Sequence, residues 1–207
     1  MTPRGYWWGR AVGAVMFHGI WRSRVVGAER VPTGEPILFV ANHTGLLDGP
    51  LVYAVAPRPT VLMVKRELFH GFLGAVLRGV GQIPVDRTTG DRAALTAALE
   101  VLRAGGAVGL FPEGTRGEGD VAQVQQGATW LALNSGARVV PVACLDTIGR
   151  GRSSLPRVRS RLTVDFGDPF ALEASSARGR ERLRLATEAL RERLAEHVAR
   201  AREAAAD

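Results

Sequence analysis

Short apolar runs alternate with helix-patterned segments along almost the whole chain, and this alternation limits the possible folds more than any other feature. Pro36 to Ala41, Thr60 to Val64, Gln82 to Val85, Ala107 to Phe111, Arg138 to Cys144 and Arg161 to Phe166 read as strands, with another at Arg24 to Glu29. Leu47 to Ala56, Glu67 to Arg78, Asp91 to Arg103 and Val124 to Leu133 carry helical spacing. Gly105-Gly106 stops the third of these helices, and Asn134 to Gly136 closes the fourth. A C-terminal amphipathic helix is predicted from about Ala171, with Leu183, Leu190, Leu194 and Val198 on one face and charged residues on the other. The pattern predicts a single-domain α/β fold whose largely parallel or mixed central sheet is flanked by helices. With 207 residues and no internal repeat or long linker, one core suffices.

The N-terminus departs from this alternation. Tyr6, Trp7, Trp8, Phe17 and Trp21 crowd a segment edged by Arg4, Arg10, Arg22 and Arg24. Such a mixture suits a helix lying in the headgroup region of a bilayer, and it equally suits a helix packed on the core. The expected division is therefore a membrane-associating segment over 1–24 and a main domain over 25–207. The apolar run Ala11 to Trp21 is too short to span a bilayer. Arg22 and Arg24, between that run and the cleavage-like Val26-Gly27-Ala28, argue against a secretory leader.

The formal net charge is +7, and Lys65 is the only lysine among 27 basic residues. This balance points to an anionic partner: nucleic acid, a phosphorylated metabolite or an acidic membrane. Arg150, Arg152, Arg157, Arg159 and Arg161 follow one another with no acid between Thr147 and Val164. That stretch reads as a solvated loop or as a contact for anionic headgroups. No aromatic stacking platform or recognition helix accompanies the arginines, so nucleic acid fits poorly. A single cysteine, Cys144, excludes an intrachain disulfide, and no residues show metal-ligand spacing. A reducing, cytoplasmic setting is the expectation.

Chemistry is expected where Asn42-His43-Thr44-Gly45-Leu46-Leu47-Asp48 follows a buried strand. The offset between His43 and Asp48 places them apart on a straight helix and on opposite faces of a strand. A turn through Gly45 brings them together, with His43 at the strand end and Asp48 reaching back from the first helical turn. The pair then reads either as a structural contact or as a general base whose tautomer the aspartate sets. Three cations also stand in loops after strands: Lys65, Arg87 and Arg116, the last ending Phe111-Pro112-Glu113-Gly114-Thr115-Arg116. Each alone reads as a solvated loop cation; together they suit a phosphate. There is no glycine-rich nucleotide loop, which disfavours ATP- or NAD-dependent chemistry.

These segments resemble the glycerolipid acyltransferases, specifically the PlsC-type 1-acyl-glycerol-3-phosphate acyltransferases. The blocks that carry the likeness occur in order over residues 27 to 145: His43 with Asp48, Lys65-Arg66-Glu67-Leu68, Gly81 to Arg87, Phe111 to Arg116 and Val139-Val140-Pro141-Val142. The resemblance implies that His43 deprotonates the free hydroxyl of 1-acyl-glycerol-3-phosphate, whose oxygen then attacks the acyl thioester to give phosphatidate, while Asp48 orients the imidazole. It implies Lys65, Arg87 and Arg116 as phosphate contacts, Glu113, Gly114 and Thr115 as the acceptor site, and Val140 and Pro141 as the acyl-donor side. Acyl-CoA or acyl-carrier protein would be the co-substrate, with no cofactor and no metal, at the cytoplasmic face of an anionic membrane. Other lysolipid or glycolipid acceptors, a thioesterase and a non-catalytic membrane-binding module are the alternatives. Two positions depart from the family pattern: Gly45 stands where serine is frequent, and Gln126 where a basic residue is common.

Overall fold

The computed structural model describes residues 6–86, 91–112, 126–149, 155–172 and 178–206. In chain order the elements are α1 (Tyr6–Gly19), β1 (Arg22–Val26), β2 (Ile37–Ala41), α2 (Asp48–Val55), β3 (Thr60–Lys65), α3 (Gly71–Gly79) and β4 (Ile83–Val85). They continue with α4 (Arg92–Arg103), β5 (Ala107–Leu110), α5 (Gln126–Ser135), β6 (Arg138–Leu145), β7 (Arg161–Phe166) and α6 (Gly179–Ala206). The strands form one seven-stranded sheet in the order β1-β7-β6-β2-β5-β3-β4. Every neighbouring pair is parallel except β6 with β7. The predicted α/β fold with a mixed, mainly parallel sheet is thus the observed one.

The central strands β2 and β5 are apolar throughout because they are covered on both faces. In β2, Ile37, Phe39 and Ala41 enter one core with α1 and α2, while Leu38 and Val40 enter a second core with α4, α5 and α6. Proline in the middle of a central strand ordinarily removes a ladder bond. Pro141 avoids this through its register. Successive β6 residues bond to opposite neighbours, Arg138 N–H to Pro36 O and Val139 N–H to Phe170 O. The ring nitrogen of Pro141 therefore faces the side where β7 has already ended at Phe166, and only its carbonyl is used there, by Gly167 N–H.

Several boundaries differ from expectation for identifiable reasons. The first strand ends at Val26 because Gly27 turns left-handed (φ 71°), where any Cβ would collide with Phe166 O. The segment Glu67 to Arg78 is not one helix: a short 3₁₀ turn, Arg66–Leu68, precedes α3, and the chain leaves helical dihedrals at His70 and at Gly71 (φ 57°). Ala171 and Leu172, where the last helix is predicted to begin, are not helical, and just before them the Phe170 backbone N–H and C=O both pair with Val139. Among the described residues the helix runs from Gly179, with Leu190, Leu194 and Val198 buried. Helix α1 packs on α2: Phe17 and Trp21 are buried, and Gly9 and Gly13 lie against Tyr53 and Ala54. Its other face leaves Trp7, Trp8, Val12, Val15 and Met16 exposed.

Strand direction positions the site. β2, β3, β4, β5 and β6 run the same way, so the chain leaving each of them emerges at one end of the sheet. Because β7 runs opposite to β6 and β1 runs with β7, the first residues of β7 and β1 lie at that same end.

Candidate active site

Asn42 and His43 continue directly from β2, and the chain turns through Gly45 into α2, whose first residue is Asp48. His43 Nδ1 lies 2.9 Å from Asp48 Oδ2. The same oxygen accepts the backbone N–H of Thr44 at 2.7 Å and of Gly45 at 2.8 Å. A carboxylate at the start of a helix also meets the positive end of the helix dipole. An ionised aspartate only accepts, so Nδ1 is the donor and the acceptor lone pair of the imidazole resides on Nε2. Asp48 is fully buried, whereas the His43 side chain keeps 12% of its surface open. Such an arrangement can serve as a general base with its orienting acid. The ring of Phe111, following β5 on the neighbouring strand, covers one side of the imidazole at 4.6 Å between centroids.

Asn42 is not among the residues that the sequence motifs mark, yet it is fully buried and its side chain does the work of a strand. Its Nδ2 donates to Cys144 O (3.1 Å), and its Oδ1 accepts Cys144 N–H (2.7 Å). The signal was present as a polar residue closing an apolar strand, but its partner lies 102 residues away. Burial pushes the Cys144 thiol well up, and the nearby Asp48 carboxylate adds to this, so the cysteine stays protonated and is no nucleophile.

Lys65 ends β3 at the same end of the sheet, with half its side chain exposed and Nζ 3.3 Å from Glu67 Oε1. Arg87, Glu113, Gly114, Thr115 and Arg116 lie outside the described residues. The strands before them, β4 and β5, end on the side where His43 stands. Asp91 fastens the chain beyond residues 87–90: it accepts Asp86 N–H (3.1 Å), caps α4 at Ala94 N–H (3.0 Å) and pairs with Arg66 at 2.6 Å. Val140 and Pro141, which the resemblance implies for the acyl-donor side, are buried within β6. Gln126 is exposed at the first turn of α5.

A family model described as Acyltransferase matches residues 22–145, more than half of the chain. The chain belongs to the acyltransferase family. Over 128 residues the chain is 33% identical to the 1-acyl-sn-glycerol-3-phosphate acyltransferase of Borreliella burgdorferi, covering 59% of the chain and 51% of that relative. It is 29% identical over 178 residues to the Bacillus subtilis protein of the same name, covering 84% and 86% respectively. The chain thus spans about half the length of the first relative and most of the second. The crystal structure of PlsC, the 1-acyl-sn-glycerophosphate acyltransferase of Thermotoga maritima, shares the fold with a TM-score of 0.70 at 23% identity, over 93% of this chain and 79% of that one. The His43–Asp48 pair, Lys65 and Phe111 all fall inside the matched acyltransferase region.

Proposed function

We propose that this acyltransferase moves a fatty acyl group from an acyl thioester to the free hydroxyl of 1-acyl-glycerol-3-phosphate, giving phosphatidate. The observation that carries this reading is the His43–Asp48 hydrogen bond at the exit of β2. The relatives' names supply the acceptor. His43 Nε2 takes the hydroxyl proton as the glycerol oxygen attacks the thioester carbonyl carbon. The tetrahedral intermediate then collapses, the C–S bond breaks, and the imidazolium returns the proton to the departing sulfur. One ester and one free thiol result, with no acyl-enzyme. Asp48 holds the tautomer and stabilises the transient imidazolium. Lys65, Arg87 and Arg116 hold the acceptor's phosphate, with Glu113, Gly114 and Thr115 beside it, so that the hydroxyl reaches the base in a defined pose. The donor is acyl-CoA or acyl-carrier protein, and the reaction uses no further cofactor.

The acceptor is a membrane lipid, and the surface suits work at an anionic bilayer on the cytoplasmic side. No helix among the described residues is long and apolar enough to cross a membrane. Trp7, Trp8, Val12, Val15 and Met16 form an exposed apolar stripe on α1, and Phe72 on α3 is 87% exposed. Arg22, Arg24, Arg157, Arg159 and Arg161 are exposed at or beside the site end of β1 and β7. Aromatic and aliphatic side chains next to arginines favour headgroup-level binding. In this reading, residues 1–24 serve as the membrane-associating segment.

The test is a donor-by-acceptor matrix with thiol release and mass detection of the lipid product. Thiol release that depends on lysophosphatidate, with phosphatidate formed, supports the reading. Acylation of a phosphate-free acceptor alone, or thiol release without acylated lipid, refutes it.

A further inference from the structure

Thr147 lies beyond the matched family region, two residues past the end of β6, and is fully buried although polar. It reaches its position through Asp146, whose left-handed backbone (φ 61°) is one that a non-glycine residue adopts only at a cost. That turn directs the chain against the loop carrying His43. The Thr147 hydroxyl is 3.0 Å from the Thr44 hydroxyl, and its carbonyl oxygen fills the space that any Cβ at position 45 would need. The close approach accounts for glycine at 45, where the family pattern often has serine. One residue before His43, the Asn42 carboxamide is paired with the backbone of Cys144. Backbone pairing between β2 and β6 ends with Asn42 N–H on Val142 O. Beyond that point side chains continue the contact, on Asn42 and on Thr44. His43 stands between these two anchors, and Thr44 N–H adds a third tie, to Asp48 Oδ2.

We propose that Thr147 is a positioning residue for acyl transfer. Through Thr44 it fixes the backbone next to His43, so that the imidazole keeps its alignment with Asp48 while Asn42 fixes the other side. An error of about 1 Å in such a constellation costs on the order of 10²-fold in rate, so removing one of two anchors is expected to be visible in turnover. The inference rests on His43 being the base. His43→Ala tests that reading separately, since retained turnover there would remove the base without touching the anchor.

The experiment compares Thr147→Val, Thr147→Ser, Thr44→Val and the double Thr44→Val/Thr147→Val. Each is assayed with acyl-CoA and lysophosphatidate at a temperature where circular dichroism shows a folded chain. Thr147→Val is expected to lower kcat about tenfold with the acceptor KM within about twofold, and to broaden or shift the low-field proton resonance of the His43–Asp48 hydrogen bond. Thr147→Ser keeps the hydroxyl and is expected to restore both. The double variant is expected to be no worse than either single one, because the two hydroxyls form one contact. If Thr147→Val does not fold, Thr44→Val removes the same contact from the other side, with the same expectations. Parent-like kcat in the folded valine variant overturns the proposal. So does a serine variant as impaired as the valine one, or losses that multiply in the double variant, because either shows that the hydroxyl contact does not set the alignment.

Discussion

Asp48 Oδ2 accepts three hydrogen bonds at once, from His43 Nδ1 and from the backbone N–H groups of Thr44 and Gly45. One oxygen therefore sets the tautomer of the imidazole and the path of the loop that carries it. Replacing it with an amide affects both. Asp48→Asn is expected to lower kcat by about 10²–10⁴-fold, the range of a lost general base. His43→Ala removes turnover while the fold persists, since the imidazole is partly open and only its partner is buried. Steady-state kinetics and circular dichroism on the two variants check this, and a fully active Asp48→Asn would exclude the proposed role.

The cations after the strands are expected to act on binding and less on turnover. Arg116→Ala is expected to weaken lysophosphatidate binding by about 1.5–3 kcal/mol, the range for a hydrogen bond to a charged group, with kcat changed less. Arg87→Ala follows the same direction. Equal loss of kcat with unchanged acceptor affinity, measured by product inhibition and initial rates, would contradict the assignment.

The two faces of α1 are expected to separate stability from membrane binding. Phe17 is buried against Trp21, with ring centroids 5.5 Å apart. Phe17→Ala is expected to cost about 3–5 kcal/mol in denaturant unfolding, the range for an emptied aromatic site. On the other face Val15 is 73% exposed. Val15→Asp is expected to change stability by less than about 0.5 kcal/mol yet to reduce sedimentation with anionic vesicles. Vesicle binding unaffected by Val15→Asp, by salt and by anionic lipid content would remove the proposed membrane surface.

Acid should loosen the segment beside the predicted phosphate contact at Arg87. The Ala94 N–H, followed by the Asp86 N–H and Arg66, holds the Asp91 carboxyl below its usual range. A lowered folded pKa means that the ionised form favours the native state. That contribution is complete above the ordinary aspartate value of about 3.9 and disappears as pH falls through the lower folded value. Asp91→Asn keeps an α4 cap but lacks this titration. Its unfolding midpoint is expected to fall less than the parent's between about pH 4 and pH 2, the window below that ordinary value. Parallel pH profiles would show that Asp91 carries no such linkage.

Local pattern was enough for the layers and for the reactive pair. The apolar strands Ile37–Ala41 and Ala107–Leu110 were legible because a strand buried on both faces has no polar alternation to hide it. His43 and Asp48 were legible because a short turn through Gly45 is the only local way to bring that offset together. The rest depended on contacts between distant parts of the chain. That β7 runs against β6, that Phe170 returns to bond Val139, and that α1 packs one face while exposing the other follow from which surfaces meet. The Asn42 amide on Cys144 and the Thr44 hydroxyl on Thr147 span 102 and 103 residues. Sequence alone determined that a histidine and an aspartate meet at a strand end. Tertiary structure decided what holds them there, because buried polar groups must find hydrogen-bond partners wherever the packed chain supplies them.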